Sequence, residues 1–358
     1  MSFDKKELYL RQTVLPEIGE EGQDALLNAK VAVVGCGGLG SLVAVQLAAS
    51  GLGHIHLIDY DLVAKSNLHR QIFYRLKDIG KNKSVVLRNY IREISPFVAV
   101  GSSTEPLTRE NIADELKGFD LVIDCTDSLI TKYLLNDYCV LTDKVLVYGS
   151  LYKHDGYVSS FNLPDDNGRS ANLRDAFANL PENSIPNCSE VGTLNTIVGL
   201  IATLQTNEVI KIVTGSGTVL TNKILIYNSM HNSQFTMRLS KKTTKNDIER
   251  IFAAESYYEP RCAAQDEALL IYPDQLKERR EEIEILSVIE ETDLALPFEA
   301  DQKIPFSRFR VDRLVLPEGK DLVVVCKKGI SSYEVTRLVK STHANSRVFS
   351  LAGGIEMY

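Results

Sequence analysis

The amino-acid sequence predicts an α/β protein with a doubly wound, mainly parallel sheet and antiparallel additions, followed by a small C-terminal α/β domain. One observation behind this prediction is the apolar run Val31 to Val34, which ends in glycine and precedes helical spacing over residues 42–50. A second is the alternation of strand-like with helical segments, which is typical of parallel sheets. A third is the length of 358 residues, which exceeds what a single core usually serves.

The first elements follow from their apolar patterns. Strands are predicted at 54–59 and 120–124, and helices at 84–94 and 110–116. Pro96 ends the first of these helices, because the residue before a proline disfavours helical geometry.

Beyond residue 144 the pattern changes to shorter segments. Strands are predicted at 144–150, 157–162, 223–228 and 234–239, and we interpret the last three as antiparallel additions to the same sheet. Residues 193–213 give the strongest amphipathic pattern in the chain, which favours a long helix packed on the core.

The second half of the chain predicts a polar loop, a linker and a further domain. Residues 164–187 are rich in Asn, Asp, Ser and Pro and indicate a long loop. Strands at 283–289, 322–326 and 347–351, with a helix at 332–340, indicate the second domain. The expected division is a nucleotide-binding domain at 1–240, a linker at 241–265 and a C-terminal domain at 266–358.

Composition excludes several classes of protein. A net charge of −7 and a pI near 5.5 argue against a nucleic-acid partner, which would require clustered Lys and Arg. The N-terminus has no signal-like apolar segment, and no run of 18 uninterrupted apolar residues occurs, so we expect a cytoplasmic protein without a membrane span. The six cysteines are scattered and form no CxxC pair, which predicts reduced thiols and gives a zinc site little support.

A glycine-rich turn follows the first strand. Gly35, Gly37 and Gly40 form GxGxxG between strand and helix, where the backbone can approach phosphate oxygens. Asp59 lies where a carboxylate can accept hydrogen bonds from ribose hydroxyls. These residues alone leave NAD, FAD and ATP open as ligands.

Charged residues after the turn favour ATP. Asp59 and Asp61 are two apart at a strand end and would point to one face if strand geometry persisted. Arg70 and Lys83 add positive charge that can stabilise a leaving pyrophosphate. The alternative interpretation is a surface cluster of salt bridges, which for Arg70 taken alone is the simpler one.

Two more carboxylates follow the next parallel strand. Asp124 and Asp127 lie at its C-terminal end, the edge where ligands bind in open α/β sheets. Carboxylates there suit Mg²⁺ shared with phosphates, and Asp127 is the better candidate because it lies beyond the strand. Asp124 could equally be a buried acid that fixes the loop.

At this point the sequence resembles the adenylyltransferases that activate ubiquitin-like sulfur carriers, the ThiF and MoeB type related to ubiquitin-activating enzymes. The matching segments are LYLRQTVLPEIGEEGQ, GCGGLGS, DYDLVAKSNLHRQ, DIGKNK, DCTDS and PNCSEVGTLNTIVGLIATLQTNEVIKIVTG, in family order across residues 7–240. The resemblance implies a homodimer in which Arg11 reaches the ATP of the other subunit. The predicted ATP and Mg²⁺ site comprises Gly35, Gly37, Gly38, Gly40, Asp59, Asp61, Asn67, Arg70, Gln71, Lys83, Asp127 and Ser128.

The resemblance also implies a reaction. The C-terminal glycine carboxylate of a small β-grasp protein attacks the α-phosphorus of ATP, and pyrophosphate leaves. No acid or base is strictly required, because the attacking carboxylate is ionised at neutral pH. Catalysis would then come from alignment and from the charges of Asp127-bound Mg²⁺, Arg70, Lys83 and Arg11.

The chain departs from the family at the zinc site that many relatives hold with two CxxC pairs. The first pair aligns with Asn172 and Asp175, and the segment after Leu239 has no cysteine pair. Zinc is therefore predicted to be absent, and the loop is held either by side-chain hydrogen bonds or only when the carrier binds. Ser128 stands where the family usually has asparagine.

Two cysteines are candidates for sulfur chemistry. Cys188, in IPNCSEVG, matches the family cysteine that can take the carrier as a thioester or acyl disulfide; the alternative is an unreactive loop cysteine. The C-terminal segment resembles a rhodanese-like domain with Cys326 as the persulfide site, cradled by N–H groups of the loop to Ser332. Lys327 and Ser331 replace the usual loop arginines, so an active sulfurtransferase and a degenerate docking domain both stay open.

The sequence therefore predicts an ATP-dependent adenylyltransferase acting on a ubiquitin-like sulfur carrier in thiamine, molybdopterin or tRNA-thiolation pathways. The alternatives are an NAD- or FAD-binding oxidoreductase and a non-catalytic scaffold that binds carriers. An oxidoreductase would need a hydride-acceptor domain, and none is evident in the sequence. A non-catalytic scaffold would not explain why Arg70, Lys83 and Asp127 are retained.

Overall fold

The computed structural model describes residues 4–166, 168–177, 192–255, 257, 266–290, 294–317, 319–327 and 329–358. The chain divides into two compact units, Met1–Tyr257 and Tyr258–Tyr358.

The first unit is built on an eight-stranded sheet with the order β10-β9-β6-β5-β4-β1-β2-β3. Strands β1 to β5 pair in parallel, and β6, β9 and β10 pair antiparallel at one side. A separate hairpin, β7 with β8, lies outside this sheet. The strands are β1 Lys30–Val34, β2 His54–Ile58, β3 Ala99–Ser103, β4 Leu121–Asp124, β5 Val145–Tyr152, β6 Asp155–Phe161, β7 Pro164–Asp165, β8 Gly168–Arg169, β9 Lys223–Asn228 and β10 Ser233–Arg238.

Helices cover both faces of the sheet because alternate residues of each strand point to opposite sides. In β1, Val31 and Val33 join one buried core, and Ala32 and Val34 join the other. The helices of the first unit are α1 Lys5–Thr13, α2 Gly19–Asn28, α3 Gly38–Ala49, α4 Lys83–Ile94, α5 Ile112–Glu115, α6 Leu129–Leu141, α7 Leu173–Ala176, α8 Asn195–Thr214 and α9 Lys245–Ala254.

The long helix α8 is long and apolar enough, by length and composition, to cross a membrane. Its apolar residues Ile197, Val198, Ile201 and Val209 instead lie in the core that also contains the buried side chains of α3. Core packing, as the sequence pattern predicted, accounts for this composition.

The second unit contains a five-stranded parallel sheet with the order β11-β15-β14-β12-β13. Its central strand β14 is buried throughout, as expected of a parallel strand covered on both faces. Its elements are β11 Leu270–Ile271, α10 Pro273–Glu278, β12 Ile283–Ser287, β13 Gln302–Lys303, β14 Asp321–Val325, α11 Ile330–Thr342 and β15 Val348–Leu351.

The structure corrects the expected linker at 241–265. Helix α9 lies inside that stretch, begins at the capping residue Thr244 and packs against α6, so the first unit extends to Tyr257. The described part of the predicted loop at 164–187 contains the β7–β8 hairpin and the short helix α7.

Candidate active sites

The glycine turn after β1 leaves no room for side chains. Gly35 has a φ of 88°, and a Cβ there would lie 2.8 Å from the Cys125 carbonyl oxygen. A Cβ at Gly40 would lie 1.7 Å from the Gly35 oxygen, and one at Gly38 would lie 2.7 Å from Cγ1 of Val198. Glycine therefore allows α3 to start directly against the turn, which is the arrangement that presents backbone N–H groups to phosphate.

Asp59 links this turn to the end of β2. Its Oδ2 accepts a hydrogen bond from the backbone N–H of Cys36 at 2.6 Å, and its Oδ1 accepts one from the N–H of Asp61 at 2.8 Å. Burial raises the pKa of Asp59 to about 6. Because each carboxylate oxygen has a second lone pair, Asp59 can still accept a hydrogen bond from a ligand hydroxyl.

Asp59 and Asp61 both lie beyond β2, because the strand ends at Ile58. The Asp61 Oδ2 accepts a hydrogen bond from the Lys83 Nζ at 2.7 Å. The strand geometry on which a shared face would depend therefore does not extend to these residues.

Lys83 is buried, with its side chain 6% exposed, at the start of α4. Burial, the largest influence, would lower the pKa of Lys83, but the fields of Asp59, Asp61 and Asp127 outweigh it and raise the pKa. The contribution of Asp127 shows that the charges at the ends of β2 and β4 converge on this ammonium group.

Asn82 fixes the position of Lys83. Its side-chain Oδ1 caps α4 by accepting from the N–H of Val85 at 3.2 Å, and its Nδ2 donates to the Asp59 carbonyl oxygen at 3.0 Å. The first residue of α4 is thereby attached to the end of β2. The sequence analysis did not identify Asn82, although an asparagine before a helical pattern is a common capping signal.

Gln71 lies buried beside the glycine turn, with 3% of its surface exposed. A Cβ on Gly37 would lie 3.5 Å from its Nε2. Within the described part of the chain its Oε1 has no hydrogen-bond partner. A buried acceptor without a partner costs free energy, so a donor group of a bound ligand would satisfy it.

Arg70 and Asn67 lie in the same segment. The Arg70 Nη1 donates to the Ser66 carbonyl oxygen at 3.2 Å and lies 2.8 Å from the His69 Nε2. The Asn67 Oδ1 accepts from the N–H of Ala64 at 3.3 Å, so in this structure Asn67 shapes the turn.

The carboxylates after β4 have different environments. Asp124 is fully buried: its Oδ2 accepts from the Lys132 Nζ at 3.0 Å and its Oδ1 accepts from the Thr126 hydroxyl at 2.8 Å. Asp124 is therefore the loop-fixing acid of the two options. Asp127 is exposed, and Ser128 caps α6 by accepting from the N–H of Thr131 at 3.2 Å.

Arg11 is exposed in the last turn of α1. Cys188 lies outside the described residues.

The loop where relatives are expected to hold zinc is joined to the segment after Leu239 by hydrogen bonds. The Asp175 Oδ1 accepts from the backbone N–H groups of Lys242 at 2.8 Å and Thr243 at 2.7 Å, and from the Thr243 hydroxyl at 2.9 Å. The Asn172 Nδ2 donates to the same hydroxyl at 2.6 Å. We call this set the Asp175 joint; it corresponds to the side-chain hydrogen bonds that the sequence analysis gave as one alternative.

A buried ion cluster reinforces this region. The Arg174 Nη2 lies 2.6 Å from the Asp137 Oδ2 and 3.0 Å from the Glu255 Oε2, and the Tyr257 hydroxyl donates to Asp137 at 2.5 Å. Sequence reasoning missed this cluster because its members come from three distant segments and carry no local pattern.

In the second unit, Cys326 directly follows β14 and is buried. Its Sγ lies 3.2 Å from the Ser332 Oγ, and the Ser350 hydroxyl donates to Ser332 at 2.8 Å. The backbone N–H of Ile355 donates to the Cys326 carbonyl oxygen at 2.9 Å. Part of the predicted N–H cradle, at Lys328, lies outside the described residues.

The fold and the first site define a protein of the nucleotide-binding α/β class, with an acidic and cationic cluster at the carboxyl edge of its parallel strands. Residues 9–248 match the model of the ThiF family, and the chain belongs to that family.

Curated relatives extend the match over the whole chain. The probable adenylyltransferase/sulfurtransferase MoeZ of Mycobacterium tuberculosis is 32% identical, covering 99% of this chain and 93% of that protein. A sulfur carrier protein adenylyltransferase of Thermus thermophilus is 37% identical, covering 65% of this chain and 88% of that protein. The adenylyltransferase and sulfurtransferase MOCS3 of Dictyostelium discoideum is 40% identical over 66% of this chain and 55% of that protein.

Solved structures agree on the fold. E. coli MccB with MccA-N7isoASN has a TM-score of 0.59 at 22% identity, covering 67% of this chain and 74% of that one. E. coli MccB with ATP has a TM-score of 0.54 at 24% identity, covering 62% and 68%. The α/β class with a mainly parallel sheet and antiparallel additions is thus confirmed.

Proposed function

We propose that this protein uses ATP to adenylate the C-terminal glycine of a ubiquitin-like sulfur-carrier protein; one relative is named a sulfur carrier protein adenylyltransferase. The observation that supports this most is the buried ammonium group of Lys83, which donates a hydrogen bond to Asp61 and whose pKa, lowered by burial, is raised overall by the charges of Asp59, Asp61 and Asp127. An oxidoreductase has no need of such a cluster, because hydride transfer expels no pyrophosphate.

The residues at the turn fit ATP. Gly35, Gly38 and Gly40 admit no Cβ without a clash, which leaves backbone exposed to phosphate oxygens. Asp59 accepts a ribose hydroxyl with its remaining lone pairs, and the unsatisfied Gln71 Oε1 accepts a further donor of the nucleoside.

The reaction joins one carboxylate oxygen of the carrier's terminal glycine to the α-phosphorus of ATP. The bond between that phosphorus and the bridging oxygen breaks, so the products are an acyl-adenylate and pyrophosphate. Lys83, once the triphosphate draws it from Asp61, and Arg70 stabilise negative charge on the leaving group. Asp127 is the exposed carboxylate that would bind Mg²⁺, which when present neutralises phosphate charge.

We further propose a homodimer in which Arg11 of one subunit faces the nucleotide of the other. Large apolar side chains are exposed around both regions involved: Leu10 and Val14 near Arg11, and Ile72 and Leu76 near Arg70. Exposed apolar residues at this density mark interaction surfaces. We also propose that the protein is cytoplasmic and that it binds no zinc.

Sulfur transfer would follow adenylation. Cys326 lies in the strand-end loop expected of a persulfide site, and Cys188 is the candidate for a thioester or acyl disulfide with the carrier. We propose that Cys326→Ala spares adenylation and reduces thiocarboxylate yield, whereas an unchanged yield would make the second unit a docking element.

The test is exchange of labelled pyrophosphate into ATP with a diglycine-ended carrier. Exchange should require the carrier, and a carrier lacking its last glycine is the matched control. Exchange of equal size with the truncated carrier would contradict the proposal. Absence of exchange with every carrier, together with tight nicotinamide binding, would favour the oxidoreductase.

A further inference from the structure

Two buried hydroxyl groups form a hydrogen-bonded chain that reaches Cys326. Ser332 and Ser350 are both fully buried, and the Ser350 hydroxyl donates its proton to the Ser332 oxygen at 2.8 Å. The Cys326 Sγ lies 3.2 Å from the Ser332 oxygen, and either atom of this pair can donate while the sulfur carries a proton. A thiolate has no proton, so once the sulfur is ionised Ser332 is the donor of this pair.

The environment of the sulfur makes this donor important. Cys326 is 6% exposed, so water solvates its anion poorly. A buried anion requires hydrogen-bond donors, and bonds to a charged group are stronger than bonds between neutral groups. Ser331 occupies a position where the resemblance would place an arginine, so a neutral residue stands there in place of a cationic one.

We propose that Ser332 is a positioning residue that donates a hydrogen bond to the Cys326 thiolate, and that Ser350 orients the Ser332 hydroxyl for this purpose. The inference rests on the proposed function for its biological meaning, since it describes how the second unit keeps its sulfur reactive. Its physical content concerns the thiolate alone and is measurable without any carrier or sulfur donor.

The test is alkylation of Cys326 by iodoacetamide in the full-length protein, followed across pH by mass spectrometry of the peptide that contains it. Ser332→Ala should slow alkylation at neutral pH by about tenfold, the value of one hydrogen bond to a charged group, and move the pH profile upward. Ser350→Ala should have the smaller effect, about two- to threefold, because Ser332 keeps its proton but loses its orientation.

The matched control is Thr336→Val on the same helix. Thr336 is fully buried, and within the described part of the chain its hydroxyl has no hydrogen-bond partner, so the isosteric change should leave the profile in place. Ser332→Thr retains the hydroxyl and should restore most of the reactivity.

Measurements of folding stability distinguish a positioning role of Ser332 from a packing role. Ser332→Ala leaves the Ser350 hydroxyl without its acceptor, whereas the double variant Ser332→Ala with Ser350→Ala removes both partners and should recover stability but not alkylation. An unchanged profile in Ser332→Ala, or an equal loss in Ser332→Thr, would overturn the proposal. Failure of the proposed function would appear separately, as absence of pyrophosphate exchange in the unmodified protein.

Discussion

The two candidate sites differ in the kind of group that they offer to a negative charge. In the first unit, the buried ammonium group of Lys83 donates a hydrogen bond to Asp61, in a site that is partly open to solvent. In the second unit, the buried sulfur of Cys326 lies 3.2 Å from the Ser332 hydroxyl, to which the Ser350 hydroxyl donates. The first site thus offers a full positive charge, and the second offers neutral dipoles.

The first prediction tests whether the two sites are independent. Asp127→Ala should reduce pyrophosphate exchange by about a hundredfold or more, since it removes the exposed carboxylate assigned to the metal. Alkylation of Cys326 should be unchanged in the same protein. Measuring both in one preparation checks the prediction, with Asp120→Ala, an exposed residue before β4, as the control. Near-normal exchange would remove Asp127 from the mechanism.

The second prediction concerns a carboxylate that serves structure. Asp175→Ala removes the acceptor of four hydrogen bonds, three from the N–H groups of Asn172, Lys242 and Thr243 and one from the Thr243 hydroxyl. We expect a loss of about 2 kcal/mol or more in the free energy of unfolding, because three N–H groups lose their partner. Thermal or denaturant unfolding measures it, and Asp166→Ala, on the exposed hairpin, is the control. If stability were unchanged, the Asp175 joint would not hold the loop.

The third prediction concerns the pH dependence of nucleoside binding at the first site. Because burial raises the pKa of Asp59 to about 6, its carboxylate should take up a proton as the pH falls through that value. Binding of adenosine, which has no phosphate to titrate, should weaken by about tenfold from pH 7 to pH 5, since the ribose loses an ionised acceptor. Isothermal titration calorimetry measures this, and Asp59→Asn should bind weakly without the pH dependence.

Lowering the pH weakens adenosine binding through Asp59, but the raised pKa of Asp59 has the opposite effect on the stability of the fold. A raised pKa means that the folded protein binds this proton more tightly than the unfolded chain does. The contribution of Asp59 to the free energy of unfolding therefore decreases as the pH rises from the ordinary aspartate range to about 6. Weaker adenosine binding accompanied by a loss of fold at pH 5 would contradict this assignment.

The smallest expected effect is that of metal removal on the Asp175 joint. The purified protein should contain less than one zinc per chain, and a zinc chelator should leave the unfolding midpoint unchanged. Elemental analysis and thermal unfolding with and without chelator provide the measurements. One zinc per chain would overturn the interpretation of the missing cysteine pairs.

The sequence predicted the charged site better than the neutral one. Gly35, Asp59, Lys83 and Asp127 belong to short motifs in which residue type and spacing follow from the chemistry of phosphate. Ser332 and Ser350 are ordinary serines in sequence, and the packing of helix α11 against strand β15 brings them together. The role of a serine hydroxyl depends on its neighbours in the folded protein, and the periodicity of the sequence does not show those neighbours.

The same difference between local pattern and distant contact applies to the elements of the fold. Strands β1, β2, β4 and β5 of the parallel sheet were predicted within a few residues, because buried parallel strands form nearly continuous apolar runs. Strand β3 (Ala99–Ser103) and helices α1, α2 and α6 were not identified, and α9 was taken as linker. Helix α9 has a short polar pattern, and packing on α6 stabilises it, a contact that the local sequence does not reveal.

The attachment of α4 to β2 through Asn82 has a consequence for how this protein can change. The backbone N–H of Val63 also donates to the Lys81 carbonyl oxygen, so residues 64–80 form a loop whose two ends are held together. Substitutions of its exposed apolar residues Ile72 and Leu76 can change the surface of this loop while Lys83 keeps its place. Because the same loop carries Asn67, Arg70 and Gln71, any change in its backbone would also reach the candidate nucleotide site.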